Sequence, residues 1–240
     1  MGPKILKGER ISKKFGGLWA LKDVDFSIDE SEIVGLIGPN GAGKTTLFNV
    51  ITGITRPTHG RVFLKNLEIT NFPPHKVCQV GVARTFQASR VFMGLTAVEN
   101  LKLAQAFGKS HKKSADLDIE QLLSFVHLTE KRNVHAKKLS LLERKLLEIA
   151  MALATNPCII LLDEPCAGLI VQEINQITEV IEKIRSNLGI TIFWIEHVLS
   201  AVMKFADRII VLCEGKKIAE GRPTEIASNK EVLEAYMGGE

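Results

Sequence analysis

The sequence predicts an α/β fold in which strands and helices alternate along the chain and one helical segment is inserted between them. Two observations lead to this expectation. Short apolar runs at 32–37, 158–162 and 190–195 are typical of buried strands, and helical spacing of apolar residues dominates between 88 and 156. The chain has 240 residues, of which 45% are hydrophobic, so it can bury a substantial core.

Composition limits the class of protein and its compartment. The net charge is +4 and the pI about 8.8, a mildly basic balance that does not require nucleic acid, and no such partner is expected. The four cysteines show no C-x-x-C spacing, which favours free thiols in a reducing compartment. We find no secretion signal and no run of roughly 18 to 20 apolar residues. We therefore expect a soluble cytoplasmic protein that works at a membrane only by docking to another chain.

Two strands are predicted at the N-terminal end, at Ile5–Ile11 and Val24–Ile28. The second strand alternates apolar with polar residues, as a half-exposed strand does. Phe15 lies in the polar, glycine-containing loop between them. An aromatic ring in that position is able to stack on a purine, or it packs in the ordinary way, and the spacing alone leaves both interpretations open.

A glycine-rich turn joins the apolar strand at 32–37 to an apolar helix. It matches the pattern G-x-x-x-x-G-K-[ST] and consists of Gly38, Pro39, Asn40, Gly41, Ala42, Gly43, Lys44, Thr45 and Thr46. Glycines let backbone N–H groups surround phosphate oxygens, and the helix N-terminus adds partial positive charge. Lys44 is able to reach the β- and γ-phosphates, and Thr45 to offer its hydroxyl to Mg²⁺. The chain is therefore predicted to bind a nucleoside triphosphate with Mg²⁺.

A short strand at Arg61–Lys65 and a second one at 80–83 follow the glycine-rich turn. The second strand leads to Gln87, whose neutral amide is able to touch Mg²⁺ or its water, although a lone Gln87 would be an ordinary solvated loop residue. Helices are then expected within the segment 88–156, together with one exposed lysine-rich loop. One helix begins at Ala97, a second spans Ile119–Leu128 and a third spans Ser140–Thr155. The lysine-rich loop is Lys109–Lys113.

The second half of the chain alternates strand and helix again. Cys158–Leu162 is apolar on both faces, which predicts a central parallel strand, and Asp163 and Glu164 close it. A helix at Ile177–Leu188 and a buried strand at Ile190–Ile195 follow, and Glu196 and His197 end that strand. The remaining predicted elements are a hairpin and short helices, at Arg208–Cys213, Lys216–Ala219 and onward to Tyr236.

Three strand ends are expected to meet at the phosphate site, because ligands bind at the carboxyl ends of strands in open α/β sheets. Asp163 is able to hold Mg²⁺, Glu164 to polarise an attacking water, and His197 to hydrogen-bond the γ-phosphate. Taken singly, His197 would be a structural or surface histidine. Its position beside Lys44 and the two acids favours a functional role.

In these motifs the chain resembles the nucleotide-binding subunit of an ABC transporter over nearly its whole length. Gly38–Thr45 matches the family's Walker A motif, and Ile159–Asp163 with Glu164 matches its Walker B motif and catalytic glutamate. Gln87 matches the Q-loop, His197 matches the switch histidine, and Phe15 matches the aromatic residue that stacks on adenine. The resemblance implies a P-loop NTPase cassette spanning 1–240 as a single domain, with an antiparallel β part and a helical subdomain inserted at 88–156. It implies that Glu164 and His197 are catalytic and that Thr45, Gln87 and Asp163 serve Mg²⁺.

Several segments are similar in sequence to the high-affinity branched-chain amino acid importer ATPases. They are Phe15-Gly16-Gly17-Leu18, Arg84-Thr85-Phe86-Gln87, Leu146-Leu147-Glu148-Ile149-Ala150, Ile195-Glu196-His197 and Tyr236-Met237-Gly238. This similarity implies Mg²⁺-dependent ATP hydrolysis that drives amino-acid uptake through integral-membrane permease subunits. It also implies a second ATP-binding subunit, identical or different, and a place on the inner face of the cell membrane. The loop at 88–92 is the expected docking surface.

Two segments depart from the family pattern. The signature Leu-Ser-Gly-Gly-Gln is replaced by Leu139-Ser140-Leu141-Leu142-Glu143, so Ser140 keeps the hydroxyl expected to meet the partner's nucleotide, but leucine side chains and a negative charge replace the glycines and glutamine. Ser140 and Glu143 also fit a capping box, which is the local alternative and would leave Arg144 nearer the nucleotide. Ile170 stands where the family carries Asp or Asn, which puts communication between the two nucleotide sites in question.

Two other functional interpretations remain open at this stage. One is an ATP-gated clamp whose altered signature weakens hydrolysis. The other is a non-transport ABC ATPase, although such proteins usually join two cassettes or carry a long coiled coil, and this chain has no sustained heptads.

Overall fold

The computed structural model describes residues 2–108 and 117–237, and the predicted loop Lys109–Lys113 lies outside them. The described residues form two sheets with helices packed around them. The strands are β1 (Lys4–Phe15), β2 (Leu18–Asp29), β3 (Ile33–Ile37), β4 (His59–Leu64), β5 (Leu67–Glu68), β6 (Val82–Arg84), β7 (Ile159–Asp163), β8 (Thr191–Ile195), β9 (Arg208–Cys213) and β10 (Lys216–Gly221). The α-helices are α1 (Lys44–Ile51), α2 (Pro74–Val80), α3 (Ala97–Phe107), α4 (Ile119–Phe125), α5 (Leu141–Ala154), α6 (Val171–Leu188), α7 (Leu199–Phe205), α8 (Pro223–Ala227) and α9 (Lys230–Met237).

The larger sheet has six strands in the order β10-β9-β3-β8-β7-β6. Only β10 runs antiparallel to its neighbour; the other pairs are parallel. Every residue of β3, β7 and β8 is buried, because helices cover one face of this sheet, while α1 and the smaller sheet cover the other. These are the three apolar runs that the sequence predicts as buried strands, and their carboxyl ends lie at one edge of the sheet.

The smaller sheet is antiparallel, in the order β2-β1-β4-β5. Its first hairpin is longer than predicted, since β1 and β2 each have 12 residues and meet at a turn where Phe15 pairs with Leu18. Phe15 therefore ends a strand instead of lying in an open loop. The extension was not predicted because the residues before Phe15 are polar. Cross-strand hydrogen bonding between β1 and β2 produces it. Phe193 of β8 packs against the smaller sheet, because its ring centroid lies 5.8 Å from that of Phe26 in β2, and it also lies 5.1 Å from the ring centroid of Phe48 in α1.

The helical segment predicted between 88 and 156 contains α3, α4 and α5, and each of these helices begins with a reciprocal capping box. The predicted bounds need small corrections. Helix α4 ends at Phe125, before His127 at φ 59°, and β6 begins at Val82 because Gly81 ends α2 at φ 111°. Helices α2 and α7, with seven residues each, were not predicted from the sequence.

Across residues 2–108 and 117–237, no helix combines the length and the apolar character that crossing a bilayer requires.

Candidate functional site

The phosphate loop lies between β3 and α1, and two of its glycines have structural reasons to be glycine. A Cβ on Gly38, at φ 149°, would lie 2.0 Å from the carbonyl oxygen of Leu212, and one on Gly43, at φ 102°, would lie 2.5 Å from that of Ala20. Neither position accepts a side chain without moving backbone. The loop is therefore held between β9 and the hairpin of the smaller sheet.

Lys44 is the first residue of α1, and its buried side chain reaches back across the loop. Its Nζ donates hydrogen bonds to the carbonyl oxygens of Gly38 at 2.7 Å and Pro39 at 3.0 Å. Burial lowers the pKa of Lys44, and the nearby carboxylates of Glu164 and Asp163 oppose that shift. The ammonium group is thus placed inside the loop, beside the two acids that the sequence predicts for the same site.

Asp163 is the last residue of β7, and its side chain is only 3% exposed. Its Oδ2 accepts a hydrogen bond from Arg84 Nη2 at 2.7 Å, while its Oδ1 is buried without a hydrogen-bond partner among the described residues. Burial raises the pKa of Asp163, and Arg84 opposes the shift. An unpartnered buried carboxylate oxygen is costly unless a cation completes it, and oxygen is the ligand that Mg²⁺ prefers. The donor set therefore fits Mg²⁺.

Glu164 follows directly and has a left-handed backbone at φ 51°. Its side chain is buried and is held on both sides. His197 Nε2 lies 2.8 Å from Oε1, and Gln87 Nε2 donates to Oε2 at 2.8 Å. The structure thus brings together the ends of β7 and β8, whose convergence the sequence predicts, and adds the loop after β6 to them. The contact of Gln87 is with Glu164, and its part in holding Mg²⁺ stays a prediction.

Glu196 is a site residue that sequence reasoning missed. Its carboxylate is buried and accepts hydrogen bonds from the backbone N–H groups of Cys166 at 2.7 Å, His197 at 2.9 Å and Val198 at 3.1 Å. It therefore ties the turn after Glu164 to the turn that carries His197. Its position at a strand end, next to the histidine, was the available clue.

Helix α5 supplies two further supports that sequence reasoning missed. Glu148 is buried and accepts hydrogen bonds from the backbone N–H groups of Phe86 at 2.9 Å and Arg90 at 3.3 Å, so it holds the loop that carries Gln87. Lys145 Nζ donates to the carbonyl oxygen of Glu164 at 3.2 Å. Burial raises the pKa of Glu148 and lowers that of Lys145. Both residues lie inside the apolar stripe of the helix, where a core position was the default expectation.

The altered signature segment forms the capping box that the sequence analysis considered as an alternative. The Ser140 N–H donates to Glu143 Oε2 at 2.8 Å, and the Glu143 N–H donates to Ser140 Oγ at 3.2 Å. Lys131 pairs with Glu143 at 3.2 Å. Leu142 is 9% exposed and belongs to the core, whereas Leu141 is 39% exposed. Only one of the two leucines therefore lies at the surface.

Two other residues singled out from the sequence are exposed. Phe15 is half exposed, with the Lys13 ammonium 4.8 Å from its ring centroid, so it is not an ordinary core aromatic. The hairpin that carries it also contacts the phosphate loop through Ala20 and Gly43. Ile170 is exposed at the start of α6, where its backbone N–H donates to Glu173.

An apolar groove of about 270 Å³ lies beside the Gln87 loop. It runs between α2, α3 and α5 and is lined by Val77, Arg84, Phe86, Ala104 and Met151 among others.

Comparison with known proteins gives consistent matches. The ABC transporter family model matches residues 21–167, and the model for the branched-chain amino acid ATP-binding cassette transporter matches residues 216–240. The high-affinity branched-chain amino acid transport ATP-binding protein BraF of Pseudomonas aeruginosa is 39% identical over 99% of each chain. The similarly named LivG of Escherichia coli is 36% identical over 99% of each chain.

Solved structures of ATP-binding cassettes have the same fold. The ADP conformation of MJ1267, an ATP-binding cassette of an ABC transporter, matches with a TM-score of 0.88 and 34% identity, covering 98% of this chain and 99% of that one. A dimeric cassette in a post-hydrolysis state, bound to ADP and Pi, matches with a TM-score of 0.79 and 29% identity, covering 91% of this chain and 99% of that one. The predicted α/β cassette fold is confirmed.

Proposed function

This chain belongs to the ABC transporter family, and from that premise we propose that it hydrolyses ATP to power uptake of branched-chain amino acids through separate permease subunits. One observation carries the proposal. The Glu164 carboxylate is held between His197 Nε2 and Gln87 Nε2, each at 2.8 Å, beside the loop that contains Lys44. The names of the relatives supply the cargo class.

The phosphate loop Gly38–Thr46 binds the triphosphate through its backbone N–H groups and Lys44, and Phe15 stacks on the adenine ring. Thr45 and Asp163, with Gln87, would hold Mg²⁺. Bound Mg²⁺ neutralises charge on the phosphate oxygens.

Glu164 is the general base in this proposal. A carboxylate has about four lone-pair sites, so a group that accepts one hydrogen bond at each oxygen can still accept a water proton. His197 and Gln87 fix the plane of that carboxylate, which orients the water for attack. His197 would also hydrogen-bond the γ-phosphate. The buried Glu196 restrains His197 through its backbone N–H.

Residues 1–240 act as one cassette in this proposal, with 88–156 as its helical subdomain. The permease docks at the groove between α2, α3 and α5 and at the adjoining loop 88–92. Glu148 supports this docking site, because it lines the groove and accepts hydrogen bonds from the backbone N–H groups of Phe86 and Arg90. Those two residues flank Gln87, so the groove is linked to the loop that carries Gln87. The subunit would lie on the inner face of the cell membrane.

A steady-state ATPase assay tests the catalytic assignment. Glu164→Gln should lower kcat by at least about 100-fold while nucleotide affinity stays within about threefold, since the lost group is a general base. Glu130→Gln, an exposed glutamate on the same chain, is the matched control and should keep wild-type turnover. Full turnover in Glu164→Gln would refute the assignment.

A second candidate function has its own observation. Ser140 and Glu143 satisfy each other in the capping box, and Leu141 is exposed where the family has glycine. This arrangement favours an ATP-binding clamp with weak hydrolysis. The clamp would be established if the wild type binds ATP but shows no hydrolysis that the Glu164→Gln substitution removes.

Size-exclusion chromatography of Glu164→Gln, with and without Mg·ATP, tests how the cassette pairs. A shift from monomer to dimer would show that two identical chains close on ATP. Retained binding without a shift would favour a different partner cassette.

A further inference from the structure

Arg84, the last residue of β6, buries a positive charge directly behind the Walker B carboxylate. Its side chain is 5% exposed, and its Nη2 donates to Asp163 Oδ2 at 2.7 Å. Removing a guanidinium from water is unfavourable unless its donors are well paired. Such a residue needs a reason to be there.

The guanidinium connects the sheet to the helix that follows the phosphate loop. Its Nη1 donates to Asn49 Oδ1 of α1 at 2.7 Å and, more weakly, at 3.3 Å to Oγ1 of Thr52, the residue that follows this helix. The same helix begins with Lys44 and carries Thr45 in its first turn. One planar group thus fixes the distance between the strand end that carries Asp163 and the helix that carries Thr45.

Aromatic rings restrict the guanidinium on two sides. Its central carbon lies 5.5 Å from the ring centroid of Phe48 and 5.0 Å from that of Phe86. Packing of this kind limits rotation of the side chain. The hydrogen bond therefore fixes which oxygen of Asp163 is occupied, and Oδ1 is the oxygen without a partner among the described residues.

We propose that Arg84 is a positioning residue for the metal–nucleotide complex: it holds Asp163 by Oδ2 and so presents Oδ1, in register with Thr45, to Mg²⁺. This inference rests on the proposed function only in that Mg·ATP binds at this site. It assigns Arg84 no contact with the nucleotide. A lysine cannot replace it, because a single ammonium does not reproduce the planar fork between Asp163 and Asn49.

The test measures binding of a non-hydrolysable ATP analogue by the full chain, once with Mg²⁺ and once with EDTA. The ratio of the two affinities is the Mg²⁺-dependent gain. Arg84→Gln and Arg84→Lys should each reduce that gain by about tenfold, as loss of a second-layer partner of a metal ligand does. Affinity in EDTA should stay within about threefold.

Two further variants separate positioning from stability. Arg208→Lys is the matched control. Arg208 is a half-buried arginine that pairs with Glu32 at 2.8 Å, at the end of β3 that lies away from the phosphate loop. It should lower the thermal unfolding midpoint without changing the Mg²⁺-dependent gain. Asn49→Ala keeps the Arg84 charge and removes one anchor, so it should reduce the gain by about threefold even if the Arg84 variants do not fold.

The outcomes are distinct. An unchanged gain in folded Arg84 variants and in Asn49→Ala overturns the positioning role, as does an equal reduction in Arg208→Lys. Absence of ATP-analogue binding by the wild type would instead overturn the proposed function.

Discussion

Replacing Glu143 with alanine separates helix capping from contact with nucleotide. The change removes the carboxylate that accepts the Ser140 N–H at 2.8 Å and pairs with Lys131 at 3.2 Å. Loss of a capping partner costs about 0.5–2 kcal/mol, and a partly exposed ion pair contributes about 0.2–1 kcal/mol. Alanine recovers roughly 0.4 kcal/mol through its helix propensity. We therefore expect a net loss of about 1 kcal/mol, or about 2–4 °C in Tm for a chain of this length.

Urea unfolding followed by far-UV circular dichroism measures this loss. Glu143→Gln is the matched control, because glutamine keeps the capping box and loses only the charge toward Lys131. It should cost less than about 0.5 kcal/mol. Both variants should bind ATP as the wild type does in the isolated subunit.

The same comparison has a predicted pH dependence. Burial acts to raise the pKa of Glu143, but hydrogen bonds from Ser140 and Lys131 outweigh it, and the pKa is lowered. A lowered pKa means that the stabilisation is present above the unfolded value of about 4.3 and is lost as pH falls through the folded value. The advantage of wild type over Glu143→Gln should therefore shrink progressively once the pH falls below about 4.3.

Two results would refute this reasoning. One is an alanine variant as stable as the wild type, which would mean that the capping box contributes nothing to α5. The other is a large loss of ATP affinity in the isolated Glu143→Ala subunit, which would mean that the carboxylate acts at the nucleotide and not only as a cap.

Three further predictions concern neighbouring features. Phe15→Ala should weaken ATP binding by about tenfold, as loss of base stacking does, while Phe15→Tyr stays near wild type; equal affinities by fluorescence titration would exclude stacking. Leu142→Ala should cost about 2–4 kcal/mol in urea unfolding and Leu141→Ala less than about 0.5, because only Leu142 is in the core; similar costs would contradict that placement. Burial raises the pKa of Glu148, so its stabilisation is fully present below about pH 4.3 and is lost as pH rises through the folded value. Stability of wild type relative to Glu148→Gln should therefore fall on going from acid to neutral pH, and a rise would reverse the assigned sign.

The candidate site was predictable where a side chain's role follows from its position on a motif. The phosphate loop, Asp163, Glu164 and His197 all sit at strand ends, and the parallel sheet brings those ends to one edge. Glu148 and Glu196 were not predicted as site residues. Their carboxylates accept hydrogen bonds from backbone N–H groups of loops that are distant in sequence. No local sequence pattern identifies which loop will pack against each carboxylate.

The sequence by itself determined the fold class and the family, because these depend on local periodicity and on a set of short motifs. It also contained both interpretations of Ser140-Leu141-Leu142-Glu143. Only the tertiary structure decided between the two leucines, since burial depends on what packs against α5 and not on the helix alone. It likewise decided the partner of Arg84. A buried charge pair between β6 and β7 joins residues 79 positions apart, and only the pairing of those two strands brings them within hydrogen-bonding distance.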